Sequence, residues 1–116
     1  QNQNLEKLKP VLDYINCNYN RAISLTEISR IAMFDPKYFC RFFKKCMGTT
    51  FLEYQNGIRI SHIYQDLVST NDKISVILER HGFTNYKLFR KVFYEHFGAT
   101  PTEVRKNNSV YQKTIL

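Results

Sequence analysis

Residues 35–48 read DPKYFCRFFKKCMG and contain the signals for a complete helix. Asp35 is a favourable N-cap, and Pro36 suits the first helical position, where its missing N–H costs nothing. Gly48 supplies the left-handed residue that commonly ends a helix. Four residues recur at the spacing of one buried helical face: Phe39, Phe42, Phe43 and Cys46. The pattern predicts a helix over residues 36–47 with one apolar and one basic face.

The same arrangement occurs again fifty residues later, where residues 85–98 read NYKLFRKVFYEHFG and again end on a glycine. The expected buried face of this second helix consists of Phe89, Val92, Phe93 and Phe97. A shorter apolar pattern precedes each helix: Leu25, Ile28 and Phe34 recur forty-nine residues later as Ile74, Ile77 and Phe83. A short helix, a tight turn and a longer helix therefore occur twice in the chain.

Capping signals place the other helices. Three capping boxes pair a hydroxyl residue with a glutamate three positions later: Ser24 with Glu27, Thr50 with Glu53, and Thr100 with Glu103. Because no stretch alternates with period two for long enough to form a strand, the sequence predicts an all-α fold. The seven predicted helices cover residues 9–19, 25–32, 36–47, 51–68, 74–81, 86–97 and 101–107.

This pattern divides the chain into five parts. A first helix-turn-helix subdomain over residues 9–50 is joined by a linker helix, 51–69, to a second subdomain over 70–107. An N-terminal extension, 1–8, and a C-terminal tail, 108–116, flank them. Since the first residue is Gln1 rather than Met, we expect the chain to be part of a longer protein.

Charge indicates the kind of partner. The 116 residues include 17 Lys and Arg against 10 Asp and Glu, a net charge of +7. Seven of the basic residues fall within two windows, 37–45 and 87–91, and neither window contains an acid. Each window lies on the longer helix of one of the two repeats. Such concentrated positive charge favours an anionic partner such as nucleic acid.

Several other functions are disfavoured by the composition. Three cysteines without a CxxC spacing, and three histidines without a ligand pattern, predict neither a disulfide framework nor a metal site. No cofactor is expected, because the chain has no Gly-rich phosphate loop. No Ser-His-Asp or Cys-His arrangement indicates an enzyme. The apolar runs are too short to span a membrane, and residues 1–9 do not resemble a signal peptide.

A short helix, a tight turn and a longer helix describe the helix-turn-helix, whose second helix enters the major groove of DNA. Arginine can donate two hydrogen bonds to guanine there, and lysine can reach bases or phosphates. Lys44 and Lys45 lie one turn beyond the start of the basic face, where phosphate contacts are expected. The helix-start residues Ser24, Thr84 and Asn85 are interpreted as caps whose neighbourhood also suits a phosphate.

The chain resembles the DNA-binding domain of the AraC/XylS family of transcription regulators. The first half of that domain is similar to residues 23–28 and 35–48, and its linker helix to the segment with Glu53, Tyr54 and Arg59. The second half resembles residues 82–83 and 89–105. The resemblance implies two helix-turn-helix units that face the same side of the duplex. It places base contacts at Lys37, Cys40, Arg41, Tyr86, Lys87, Arg90 and Lys91.

The resemblance also implies partners. Members of the family are mostly bacterial activators that contact RNA polymerase and often carry a separate regulatory domain, so we expect both partners and a cytoplasmic, nucleoid-associated protein. This sequence departs from the family pattern at some positions. Met33 stands where a glycine is usual in the first turn, Leu78 where alanine is favoured, His81 at a usually apolar site and Leu88 at a usually aromatic one.

One interpretation from a different class remains open. A helical interaction module could use the same basic faces to bind an acidic protein or an anionic membrane surface. Such a module needs no base contacts, so Arg41 and Lys44 would then contribute equally to binding. Specific DNA binding predicts different effects at these two positions.

Overall fold

The computed structural model describes the backbone of residues 2–115 and the side chains of residues 4–108. All regular structure in the described residues is helical, which confirms the predicted all-α class. The seven helices are α1 (Asn2–Asn18), α2 (Leu25–Ile31), α3 (Pro36–Met47), α4 (Phe51–Ser69), α5 (Ile74–Arg80), α6 (Tyr86–Phe97) and α7 (Pro101–Ile115).

The predicted caps begin and end the helices. At the start of α2, Ser24 Oγ accepts a hydrogen bond from the amide of Glu27 at 3.0 Å, and Glu27 Oε1 accepts one from the amide of Ser24 at 2.9 Å. The same reciprocal bonds join Thr50 to Glu53 before α4 and Thr100 to Glu103 before α7. Gly48 and Gly98 end α3 and α6 with φ of 76° and 66°.

The first helix begins earlier than the sequence predicts. α1 starts at Asn2 instead of residue 9, and Pro10 lies inside the helix. Packing accounts for the helical turn at Leu8, which is buried on the same face as Val11 and Ile15, whereas Leu5 is exposed. Residues 2–8, expected as an extension, form the first turns of α1. α7 likewise continues to Ile115, beyond the predicted end at residue 107, and Gln1 and Leu116 lie outside the described residues.

The chain divides into two compact units, Gln1–Ile58 and Arg59–Leu116, which we call unit 1 and unit 2. The core of unit 1 is built around Val11, Ile15, Ile28, Phe39 and Phe43, all of them fully buried. The core of unit 2 contains Ile63, Leu67, Ile77, Phe89 and Phe93. Each unit thus buries the apolar face of one of the two longer helices, as the repeat predicts.

One predicted core residue is not buried. Phe97, the last residue of α6, is 37% exposed, so its assignment to the buried face is wrong. Its ring still packs against Phe93 and Tyr64, with centroid distances of 4.7 and 4.6 Å. The position at the helix end leaves one side of the ring open. Val92 and Cys46, which were also expected in the buried faces, are partly buried.

Among the described residues, no helix combines the length and the apolar character that crossing a bilayer requires.

Candidate nucleic-acid interface

The basic face of α3 is positioned by its caps and by its aromatic side. Asp35 Oδ1 accepts a hydrogen bond from the amide of Tyr38 at 3.1 Å, and Pro36 occupies the first turn. Phe39 and Phe43 are fully buried with ring centroids 5.9 Å apart. The opposite side chains are all exposed: Lys37, Cys40, Arg41, Lys44 and Lys45. The structure thus places the predicted residues of unit 1 on one open face.

α6 is built in the same way. Asn85 Oδ1 accepts a hydrogen bond from the amide of Leu88 at 3.0 Å, and Phe89 and Phe93 are fully buried. The predicted readout residues are again all exposed: Tyr86, Lys87, Arg90 and Lys91. Within each unit, the sequence therefore identified side chains that share one helix face.

An open groove of about 400 Å³ runs beside this face of unit 2. Tyr86, Lys87, Arg90 and Lys91 line it on α6, and Thr100 lines it at the start of α7. The guanidinium carbon of Arg90 lies 6.0 Å from the centroid of the Tyr86 ring, which is a cation–π contact. The groove presents cations, hydroxyl groups and aromatic rings to the same space.

Tyr94 is a candidate that the sequence interpretation missed. It is 57% exposed, follows Arg90 by one helical turn and lines the same groove. The repeat contained a usable signal, because Tyr94 lies fifty residues after Lys44, which was assigned to phosphate. Because tyrosine carries no positive charge, the charge pattern that marked Lys44 did not indicate Tyr94.

The basic side chains of the two faces take no part in the ion pairs of the described residues. Within residues 4–108, no ion pair shorter than 4.0 Å engages Lys37, Arg41, Lys44 or Lys45 of α3, or Lys87, Arg90 or Lys91 of α6. Exposed cations that form no ion pair with a carboxylate are available to phosphates and to base edges.

The three helix-start residues have distinct surroundings. Ser24 and Asn85 use a side-chain oxygen to cap α2 and α6, as predicted, and both remain exposed. Their hydroxyl and amide groups can still donate a hydrogen bond. Thr84 is exposed in the turn before α6 and is not the N-cap, which is Asn85. All three can reach solvent, as a phosphate contact requires.

A polar cluster fixes the start of α2 in unit 1. Glu27 accepts hydrogen bonds from Arg21 Nη2 at 2.7 Å, from the Tyr14 hydroxyl and from the Ser24 amide. The hydrogen bond from Arg21, followed by those from Tyr14 and Ser24, lowers the pKa of Glu27 to about 2. Gln55 on α4 donates to the main-chain oxygens of Tyr19 and Arg21, which ties the same loop to the linker helix.

A different cluster fixes the end of α5 in unit 2. His81, at the site where an apolar residue is usual, is buried with its Nε2 only 2.6 Å from Asp66 Oδ2 on α4. Arg80 Nη1 donates to the same oxygen at 2.7 Å. Burial opposes ionisation of Asp66, but the hydrogen bonds with His81 and Arg80 outweigh it and hold its pKa below the usual value. The polar histidine is thereby accommodated by a carboxylate.

The two turns use different residues for the same backbone conformation. Met33 has φ of 61°, and Gly82, in the second turn, has φ of 75°. Only glycine adopts this left-handed region without steric cost. Met33 is 80% exposed, so its side chain gains little packing in return. Methionine in place of glycine therefore introduces local backbone strain in the first turn, but the backbone conformation of the turn is the same. Two other residues that depart from the family pattern are Leu78, which is buried, and Leu88, which is 37% exposed.

Among the described side chains, no group of three or more His, Cys, Asp or Glu residues could hold a metal ion.

Comparison with known proteins identifies the family. A protein-family model described as a helix-turn-helix domain matches residues 28–107, from α2 to α7. The match includes both capped basic helices. The chain belongs to the AraC-type helix-turn-helix family.

Individual relatives of this AraC-type domain agree in sequence and fold. The lactose operon transcription activator of Staphylococcus xylosus is 31% identical over 108 residues, which cover 93% of this chain. A transcriptional regulator with an AraC-type DNA-binding domain from Chromobacterium violaceum superimposes with a TM-score of 0.80 at 24% identity, covering 93% of this chain and 96% of that one. These comparisons confirm the resemblance that the sequence predicted.

A second similar structure is a DNA complex. The DNA-binding domain of the global transcriptional factor AdpA, crystallised with a target DNA, has a TM-score of 0.81 and 17% identity, covering 91% of this chain and 96% of that one. At this identity the likeness shows a shared fold. The AraC-type chain spans only 39% of the S. xylosus activator and 14% of uncharacterised Staphylococcus aureus regulators that it also matches.

Proposed function

We propose that this AraC-type domain binds double-stranded DNA at specific sequences and regulates transcription, by activation. The observation that carries the proposal is the pair of helices α3 and α6. Both are 12 residues long and both are capped at each end. Opposite an exposed basic face, α3 buries three phenylalanines and α6 buries two. This is the arrangement by which a recognition helix enters the major groove.

The residues fall into two roles. We assign base readout to Lys37, Cys40 and Arg41 on α3 and to Tyr86, Lys87, Arg90 and Lys91 on α6. Phosphate contacts are assigned to Ser24, Lys44, Lys45, Thr84 and Asn85. Phosphate contacts set the register of the protein on the duplex, whereas base contacts supply the specificity. With both helices engaged in successive major grooves, the two boxes of the site would lie about 10 bp apart.

The wider partners follow from the family. The S. xylosus relative is by name an activator and is longer than this chain, which supports a regulatory segment elsewhere in the full protein. We assign RNA polymerase as the protein partner of the DNA-bound form. The place of action would be the nucleoid, in the bacterial cytoplasm. Neither DNA binding nor contact with RNA polymerase requires a catalytic group or a cofactor.

A binding selection tests this proposal. Randomised duplexes of about 30 bp, long enough for two boxes in successive grooves, are incubated with the domain at moderate salt, and the retained fraction is sequenced. Two enriched boxes about 10 bp apart support readout by both units. One enriched box supports specific binding but contradicts base readout by one unit. Retention without enrichment contradicts sequence-specific binding and favours the interaction module with a basic surface.

A further inference from the structure

We propose that Tyr86 and Arg90 act as one readout element that recognises a guanine beside a thymine, with the Tyr86 ring against the thymine methyl group. The proposal rests on the DNA binding proposed above and adds the identity of the bases that unit 2 selects. It concerns a pair of side chains whose mutual geometry exists before any DNA is bound.

The pair is positioned by the start of α6. Tyr86 is the first residue of the helix, and Arg90 follows it by four, so both lie on the same face one turn apart. The Tyr86 ring lies 6.1 Å from the buried Phe89 ring and 6.0 Å from the Arg90 guanidinium carbon. These two contacts limit the rotation of the ring, and the cation–π contact also orients the guanidinium. Less rotational freedom is therefore lost when the pair meets a ligand.

The chemistry of the pair matches two different bases. A guanidinium offers two parallel donors, and in the major groove guanine alone presents two acceptors, O6 and N7, in matching positions. The Tyr86 side chain is 56% exposed, and its ring offers an apolar surface beside those donors. The apolar group of the major groove is the C5-methyl of thymine. Donors and apolar surface side by side therefore fit a guanine next to a thymine.

Unit 1 lacks this element. The residues fifty positions before Tyr86, Arg90 and Tyr94 are Pro36, Cys40 and Lys44. None of them carries an aromatic ring or a guanidinium. The two units, although built alike, consequently present different chemistry to DNA. At these equivalent positions, a preference for a methyl group is expected in unit 2 and not in unit 1.

Base analogues test the pair directly. The duplex obtained by selection is resynthesised with each thymine replaced in turn by deoxyuridine, which lacks only the methyl group. At one thymine, the affinity of the unchanged protein should fall about fourfold, the effect of one buried methyl group. Replacing the adjacent guanine by 7-deazaguanine removes the N7 acceptor and should weaken binding as well.

Variants assign the two effects to side chains. Tyr86→Ala should bind the thymine and deoxyuridine duplexes equally, whereas Tyr86→Phe, which keeps the ring, should retain the discrimination. Arg90→Ala should lose the response to 7-deazaguanine. Tyr94→Ala is the matched control, because Tyr94 is an equally exposed tyrosine on the same groove and the same helix. It should lower the affinity for all duplexes by the same factor.

The outcomes separate this inference from the function on which it rests. If a selected duplex is bound specifically but every thymine can be exchanged for deoxyuridine without loss, the methyl contact is overturned and DNA binding stands. The same holds if Tyr86→Ala discriminates as well as the unchanged protein does. If no duplex is enriched at all, the result contradicts the proposed sequence-specific DNA binding itself.

Discussion

The Nη1 atom of Arg105 on α7 lies 2.7 Å from the main-chain oxygen of Asp72, a residue 33 positions earlier in the chain. The same guanidinium donates to the oxygens of Leu67 and Thr70 at 3.1 and 3.2 Å. The last carbonyls of a helix have no partner within the helix. Arg105 therefore closes the end of α4 and joins it to α7 within unit 2.

Replacing Arg105 by alanine should lower the free energy of unfolding by about 2–3 kcal/mol, because three carbonyl groups lose a charged donor. Arg105→Lys should recover only part of this loss, since an ammonium cannot donate along the three directions of the guanidinium. Urea unfolding followed by circular dichroism measures both. Lys106→Ala is the control, because Lys106 is exposed and should change stability by less than about 0.5 kcal/mol. Equal losses at the two positions would contradict the capping role.

Met33→Gly should stabilise the protein by about 0.5–1 kcal/mol. The left-handed conformation at φ of 61° costs a residue with a Cβ roughly 1–2 kcal/mol, and part of the gain is offset by the greater freedom of glycine in the unfolded chain. Thermal unfolding would show a higher midpoint.

Gly48→Ala should destabilise the protein, because it makes the opposite change at a position with a similar left-handed backbone. Gly48 has φ of +76°, and a Cβ added there meets no atom within 4 Å, so the cost is that of the backbone alone, about 1 kcal/mol. A destabilised Met33→Gly variant would show that the methionine side chain contributes packing, against the exposure seen in the structure.

Acid should weaken the start of α2 through Glu27. The pKa of Glu27 is lowered from 4.5 to about 2 in the folded state, so the unfolded state binds the proton more readily between these values. The stabilisation is complete above about pH 5 and is lost as the pH falls toward 2. We expect the difference in unfolding midpoint between the unchanged protein and Glu27→Gln to shrink over that interval. The control is Glu79→Gln, which makes the same change of residue at an exposed position.

Arg41 and Lys44 should affect DNA binding differently. Arg41→Ala should cost about 1–3 kcal/mol on the selected site and relax the preference at one position. Lys44→Ala should weaken specific and scrambled duplexes by the same factor and reduce the slope of log affinity against log salt by about 1. Fluorescence anisotropy titrations over a series of salt concentrations measure both quantities. Equal effects of the two substitutions on both duplexes would favour the basic interaction module.

The sequence by itself determined the features that depend on short stretches of chain. Capping boxes, the N-cap Asp35 and the glycines that end α3 and α6 act over three to five residues, and the helix ends they predict agree with the structure. The i, i+4 spacing of Phe39 and Phe43 likewise separated the buried face from the basic one, because a single helix is enough to define it. The candidate interface could be predicted for this reason.

Only the tertiary structure decided the features that depend on distant residues. Burial of Leu8 carries α1 past its predicted start at residue 9, and the open end of α6 leaves Phe97 exposed, although periodicity treats both positions as ordinary apolar sites. His81 obtains its partner from Asp66, 15 residues earlier, and Arg105 finds its acceptors more than 30 residues earlier. Local patterns contain no information on such pairs, because they form only when packing brings separate helices within hydrogen-bonding distance.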